Sequence, residues 1–221
     1  MLPPPWIRLP RERQREVSRR SEKKPRQLGF QLLEVLVVLL IAGLILGLGI
    51  PSLLTMSRRL RVEMAANELQ GALRYARSIA VRRSTNVALK FHISPDGRRI
   101  SYVLYRDGDG DGVLTRDIES GVDPPESLPM DLAHMGAHVR FGFPQGPAPR
   151  DPSDPRRRLT RLDDPIRLNR SDMASFSPLG ASTPGSLYLT DGLDNLAVVR
   201  IFGRTAKVKV MLYDREREVW E

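Results

Sequence analysis

The chain has 221 residues, no cysteine and a formal net charge of +9, from 35 Lys and Arg against 26 Asp and Glu. That length suits one domain with appendages, and the lack of cysteine excludes thiol catalysis, disulfide staples and Cys-ligated zinc. The positive charge does not by itself announce a nucleic-acid binder, because residues 1–29 hold nine Lys and Arg against three Glu and so carry +6 of the total.

Residues 1–29 read as a basic leader whose Pro-rich start and charge alternation promise no fold of its own. An apolar run follows, Phe30–Ile50, in which Gln31 and Glu34 are the two polar side chains. About 20 apolar residues at 1.5 Å rise match the roughly 30 Å hydrocarbon core of a bilayer. A buried helix of a soluble protein would show a polar face instead. The basic segment ahead of the run predicts a leader in the cytoplasm and the bulk of the chain outside it. An ordinary secretory signal would be cut after the apolar stretch at small residues, yet Pro51, Ser52, Leu53 and Leu54 offer no such site.

The junction Arg26-Gln27-Leu28-Gly29-Phe30-Gln31-Leu32-Leu33-Glu34-Val35 resembles the class III signal of type IV prepilins and pseudopilins. The resemblance implies cleavage between Gly29 and Phe30 by the prepilin peptidase, followed by N-methylation of Phe30. Position two of the mature chain, often Thr in that family, is Gln31 here. Pro51 falls where many pilins carry a helix-kinking proline. A carboxylate inside an apolar run is costly and calls for a partner. For Glu34 the resemblance supplies one, the charged amine of Phe30 on a neighbouring subunit.

Beyond Pro51 the period is helical. Val62, Ala66, Leu69, Leu73, Ala76 and Ala80 form an apolar stripe, with Glu63, Asn67, Gln70, Arg74 and Arg77 on the polar side. A helix from Phe30 to Arg83 would be about 80 Å long. Its first part, 30–54, is the expected transmembrane and assembly segment; its second, 55–84, is the amphipathic half that packs on a domain.

Residues 85–214 read as that domain, rich in strands. Val87–Ile93 and Ile100–Leu104 alternate on either side of a turn at Pro95-Asp96-Gly97. Val139, Phe141 and Phe143 make a shorter alternation. Gly185–Thr190, Leu196–Phe202 and Val208–Tyr213 are three closely spaced runs. The expected class is α+β, a long N-terminal helix laid on an antiparallel sheet or small sandwich, pilin-like. The stretch Glu68–Ala80 followed by Asn86-Val87-Ala88-Leu89, with Phe176–Gly180 and Gly185–Leu189 later, resembles the GspH/FimT branch of pseudopilins. Gly203-Arg204-Thr205 departs from the branch's usual Thr-Gly-Arg order.

Two loops carry candidate chemistry. In 107–123, Asp107, Asp109 and Asp111 alternate with glycines, and Asp117 and Glu119 follow. Such carboxylates suit Ca2+, as in the first half of an EF-hand loop, although Ile118 occupies the twelfth position where a bidentate acid belongs. The same residues also make an ordinary Gly/Asp-rich loop with solvated carboxylates. The segment 144–172 is rich in Pro and Arg, including Arg156-Arg157-Arg158. It reads either as a solvated surface insertion or as a phosphate-contacting loop, though Asp151, Asp154, Asp163 and Asp164 interrupt its charge and no aromatic within Pro144–Arg170 offers stacking. His134 and His138 are four apart, but Gly136 between them favours a surface pair over a metal site.

No nucleophile elbow, phosphate-binding loop or dinucleotide fingerprint is present, so an enzyme is not expected. The expectation is a minor pseudopilin of a type II secretion pseudopilus or a related type IV pilus. It would be single-pass in the bacterial inner membrane with a periplasmic domain, and partnered by other pilins and the prepilin peptidase. The alternatives are a DNA-binding minor pilin and a membrane-anchored, calcium-dependent adhesin or sensor.

Overall fold

Helix α1 spans Leu28–Arg83 and carries the chain from the first of two compact units, Met1–Gly49, into the second, Ile50–Glu221. The computed structural model describes residues 28–94, 100–131 and 139–221, without the side chains of 28–31 and 48–53. The leader up to Gln27, the turn at Pro95-Asp96-Gly97 and both His134 and His138 therefore lie outside the described residues. The division between the units falls just before Pro51. At its other end α1 closes with Arg82 and Arg83 in the last turn, beside the free carbonyls. Ser84 then takes a left-handed conformation, φ 51°, and the Thr85 amide bonds back to the Ala80 carbonyl.

All six stripe residues of the second half of α1 are fully buried, and Ala65 and Ile79 join them. They share one core with the inner faces of two antiparallel sheets. Burying a Val, Leu or Ile side chain contributes about 1.5–3 kcal/mol, so packing, more than helix propensity, holds this half in place. The first sheet has the order β3-β2-β1-β6, from Met130–Asp131, Ile100–Arg106, Val87–Ile93 and Met173–Phe176. The β1–β2 pairing runs from Val87 opposite Arg106 to Ile93 opposite Ile100. The second sheet has the order β10-β9-β8-β7-β4, from Val219–Trp220, Lys207–Asp214, Leu196–Phe202, Gly185–Thr190 and Arg140–Phe141. Strand β5, Ile166–Arg167, pairs with β7 as well, at residues Leu187 and Ser186.

Period-two alternation explains which side chains reach the core. Val87, Leu89 and Phe91 face α1, as do Ala197, Val199 and Ile201. Phe91 of β1 meets Phe141 of β4 edge to face, with centroids 5.6 Å apart, and so links the two sheets. The outer faces are also covered. On the first sheet, Ala88 and Met173 pack with Val113, Tyr105 and Ile118. On the second, Tyr188, Leu196, Val198 and Met211 pack with Leu159, Phe143, Tyr213 and Trp220. The α+β architecture is as expected, resolved into two sheets on one helix.

Two expected loops hold more structure than their composition suggests. Thr115–Ser120 within 107–123 form a short helix, α2, ended by Gly121 at φ 80°. The segment 144–172 includes β5, and its first part is a small hairpin in which Leu159 bonds to Pro149 and Asp151 to Arg157 through the backbone. About half of its residues are exposed, as in a solvated insertion, but Leu159 is buried against the aromatic side of the second sheet.

Candidate functional site

The first unit places its apolar side chains in the open. Leu32, Leu33, Val35, Leu36, Val37, Val38, Leu39, Leu40, Ile41, Leu44, Ile45 and Leu46 are each between 43% and 71% exposed. Every face of the helix is thus apolar across this run. Monomeric proteins rarely leave a continuous apolar surface of this size uncovered. Glu34 is exposed among these residues and makes no ion pair with a described residue. Gly29 and Phe30 occupy the first turn of α1, their side chains outside the described set. Among the described residues no helix is long and apolar enough to cross a membrane. The described side chains of this run are those of 32–47, shorter at both ends than the expected span.

The aspartate loop is built from the inside. Asp107 is buried; its Oδ1 accepts the Gly110 amide at 2.7 Å, and its Oδ2 accepts the Gly112 amide at 3.0 Å and the Asn86 side-chain amide at 2.8 Å. Burial opposes its charge, but these donors outweigh that and hold the carboxyl below its ordinary range. Asp123 is fully buried and accepts the amides of Gly108 and Leu114, each at 2.9 Å. Asp109 and Asp111 are exposed. Desolvation first, then the neighbouring Asp109, pushes the Asp111 carboxyl up.

Oxygens of Asp107, Asp109 and Asp111 lie within 4.8 Å of one another, the spacing of ligands around one cation. Asp117 and Glu119, on α2, are not part of that group among the described residues. Asp117 pairs with Arg116 at 3.3 Å, and Arg116 also reaches Asp111 at 2.9 Å, so a guanidinium supplies positive charge at the loop's rim. Ile118, at the twelfth position, packs beneath the loop instead of facing it. The loop therefore brings together three of the five expected carboxylates. Asp123 was not among the expected residues; its signal was a lone Asp ahead of Pro124-Pro125, which only the fold brings back to Gly108.

The arginines of the 144–172 segment are largely engaged. Arg150 donates to Glu218 at 2.6 Å, and Arg158 pairs with the other oxygen of the same carboxylate. Those two guanidinium groups hold Glu218 below its usual range. Trp220 donates to the Arg150 carbonyl at 2.7 Å, and Arg200 to that of Pro152 at 2.8 Å. Arg167 lies over the rings of Phe143 and Tyr188, at 5.5 and 5.2 Å. Arg156 and Arg157 remain exposed. Aromatic residues are thus present beside the segment, Tyr188 and Trp220 from strands distant in sequence and Phe143 from just ahead of it, but they form its packed floor.

A family model described as type II transport protein GspH matches residues 65–208. The match begins in the buried half of α1 and ends in β9, so it takes in nearly all of the two-sheet core. No curated protein and no solved structure matches the chain.

Proposed function

The chain belongs to the type II transport protein GspH family, whose model takes in more than half of its 221 residues, and from that membership we propose that it is a minor pseudopilin, a structural subunit of a type II secretion pseudopilus. The family is one of structural subunits and not of enzymes. The observation that carries the reading to this chain is the exposed apolar surface of Leu32–Leu46, broken by the single carboxylate of Glu34. A surface apolar on all sides needs lipid before assembly and neighbouring helices after it.

In this reading the prepilin peptidase cuts between Gly29 and Phe30, the leader stays in the cytoplasm, and Phe30 is N-methylated. Residues 30–54 anchor the chain in the bacterial inner membrane, with the two-sheet domain in the periplasm. On entry into the filament, Glu34 meets the amine of Phe30 on the neighbouring subunit. Each charge then has a partner within the apolar surroundings, and the pair sets the axial register of one helix against the next.

The absence of native cysteine makes the test direct. Single Cys variants at Leu36 or Leu40 should cross-link to other pseudopilins in membranes of the native host. Changing Gly29 to Ala should abolish both processing and cross-linking while leaving the amount of chain unchanged. Cross-linking that persists in the uncut Gly29→Ala chain would sink the proposal.

A further inference from the structure

Where the Arg-rich hairpin leads into β5, the chain folds around an open cavity of about 540 Å³. Three arginines line it, Arg161, Arg167 and Arg170, together with Thr160 and Asn169, and Asp164 is the one acidic residue in its wall. Arg167 is the fixed member. Its Nε donates to the Asp164 carbonyl at 3.0 Å, and its plane is held over Phe143 and Tyr188. Its Nη2 is buried and has no hydrogen-bond partner among the described residues. A buried charged donor without an acceptor is costly, and turning it into the cavity to meet an acceptor from outside would relieve that cost.

The neighbouring groups suit the same acceptor. Arg161 touches Asp164 only at 3.5 Å, through an exposed side chain, so that contact neutralises little. Arg170 is exposed. The Asn169 side-chain oxygen accepts from the Ser171 amide, the Ser171 hydroxyl and the Met173 amide, and its NH2 has no partner among the described residues. Three cations against one carboxylate match a dianion better than a single carboxylate, and guanidinium forks pair with phosphate oxygens two at a time.

We propose that this cavity binds a small phosphate-type oxyanion, inorganic phosphate or a phosphate monoester, with Arg167 as the anchor and Arg161 and Arg170 closing on it. The site is independent of how the chain assembles. Titration calorimetry of the full chain in detergent with inorganic phosphate, at low ionic strength, should show saturable binding to one site that weakens as salt is added. The double variant Arg161→Ala, Arg170→Ala, altered only at exposed side chains, should bind about tenfold more weakly or worse. Arg167→Lys, which keeps the charge and loses the fork, should also weaken binding; if that variant fails to fold by circular dichroism, the double variant decides. No saturable phosphate binding, or binding unchanged in the double variant, overturns the proposal. So does a chain that binds a single-stranded oligonucleotide but not free phosphate, because the charge would then serve an extended backbone.

Discussion

Gly108 lies so close to Val122 that a Cβ on Gly108 would sit 1.9 Å from the Val122 carbonyl oxygen. The approach is set by Asp123, next in the chain to Val122, which accepts the Gly108 amide. Backbone cannot yield as a flexible side chain does, so Gly108→Ala should cost about 2 kcal/mol or more. Gly110 has open space around it and is constrained only by its φ of 95°, so Gly110→Ala should cost about 1 kcal/mol. Urea unfolding of the two variants separates crowding from conformation. Equal costs would mean that the contact with Val122 relaxes.

The same loop sets an acid limit. Asp107 is held below its ordinary range, so its contribution to stability is complete above the unfolded carboxyl pKa and lost as pH falls through the lower folded value. Glu126, opposed by burial but hydrogen-bonded to Arg106 and Arg83, shifts in the same direction. Thermal melts should therefore show stability declining below about pH 4. Asp107→Asn should flatten that decline while lowering stability at neutral pH, since its NH2 cannot accept from Gly110 or Gly112. An unchanged pH profile in the variant would remove Asp107 from the account.

Calcium is expected to compete with charges already in place. Both oxygens of Asp107 accept amides, and Arg116 pairs with Asp111. Binding at Asp107, Asp109 and Asp111 should accordingly be weak, in the range of about 0.1–1 mM typical of extracellular modules. Arg116→Gln should strengthen it by leaving Asp111 without its cation. The check is the shift in melting temperature on adding calcium and its reversal by chelator, in both proteins. A shift in neither would leave the loop as a structure tied by its own amides.

At the alkaline end the controlling group is Tyr188, whose hydroxyl is pushed up to about 12, first by its burial in the outer core of the second sheet. A raised folded value means that its contribution is fully present below the ordinary value of 10.0 and is lost as pH rises towards 12. Stability should fall over that window, and Tyr188→Phe should lose less across it. Melts between about pH 9 and 12 compare the two slopes. Tyr102 and Tyr105 shift the same way through burial, so a remnant of the slope should survive the substitution.

The parts of the fold that could be read from sequence are those whose signal is local. The α1 stripe from Val62 to Ala80 and the alternation in β1, β2, β7, β8 and β9 arise from residues within one element, so periodicity exposes them. Strands β3, β5 and β10 have two residues each and no period to detect. Strand β6 has four, and Ala174 and Phe176 reach the core only because β1 pairs with it. At the aspartate loop, the Asp-Gly repeat was visible, but the second buried carboxylate, Asp123, depends on a closure from 15 residues away. Within the partly exposed Arg-rich segment, the burial of Leu159 was not legible, because its cover, Tyr188, Tyr213 and Trp220, comes from strands far along the chain.

The two halves of α1 should respond oppositely to the same kind of substitution. Leu69 and Leu73 are fully buried in the shared core, so Leu69→Ala should cost about 2–5 kcal/mol in unfolding experiments. Leu40 is 69% exposed and supports no domain packing, so Leu40→Ala should leave the unfolding of the two-sheet domain unchanged. Its effect should appear in assembly, where neighbouring helices cover it. Glu34→Gln carries the argument one step further, because it keeps the shape and removes the charge. If Glu34 answers the amine of a neighbouring Phe30, the variant should be made, processed and inserted normally yet fail to cross-link through Cys introduced at Leu36. Normal cross-linking of Glu34→Gln, in a chain where Gly29→Ala blocks it, would mean that packing alone sets the register.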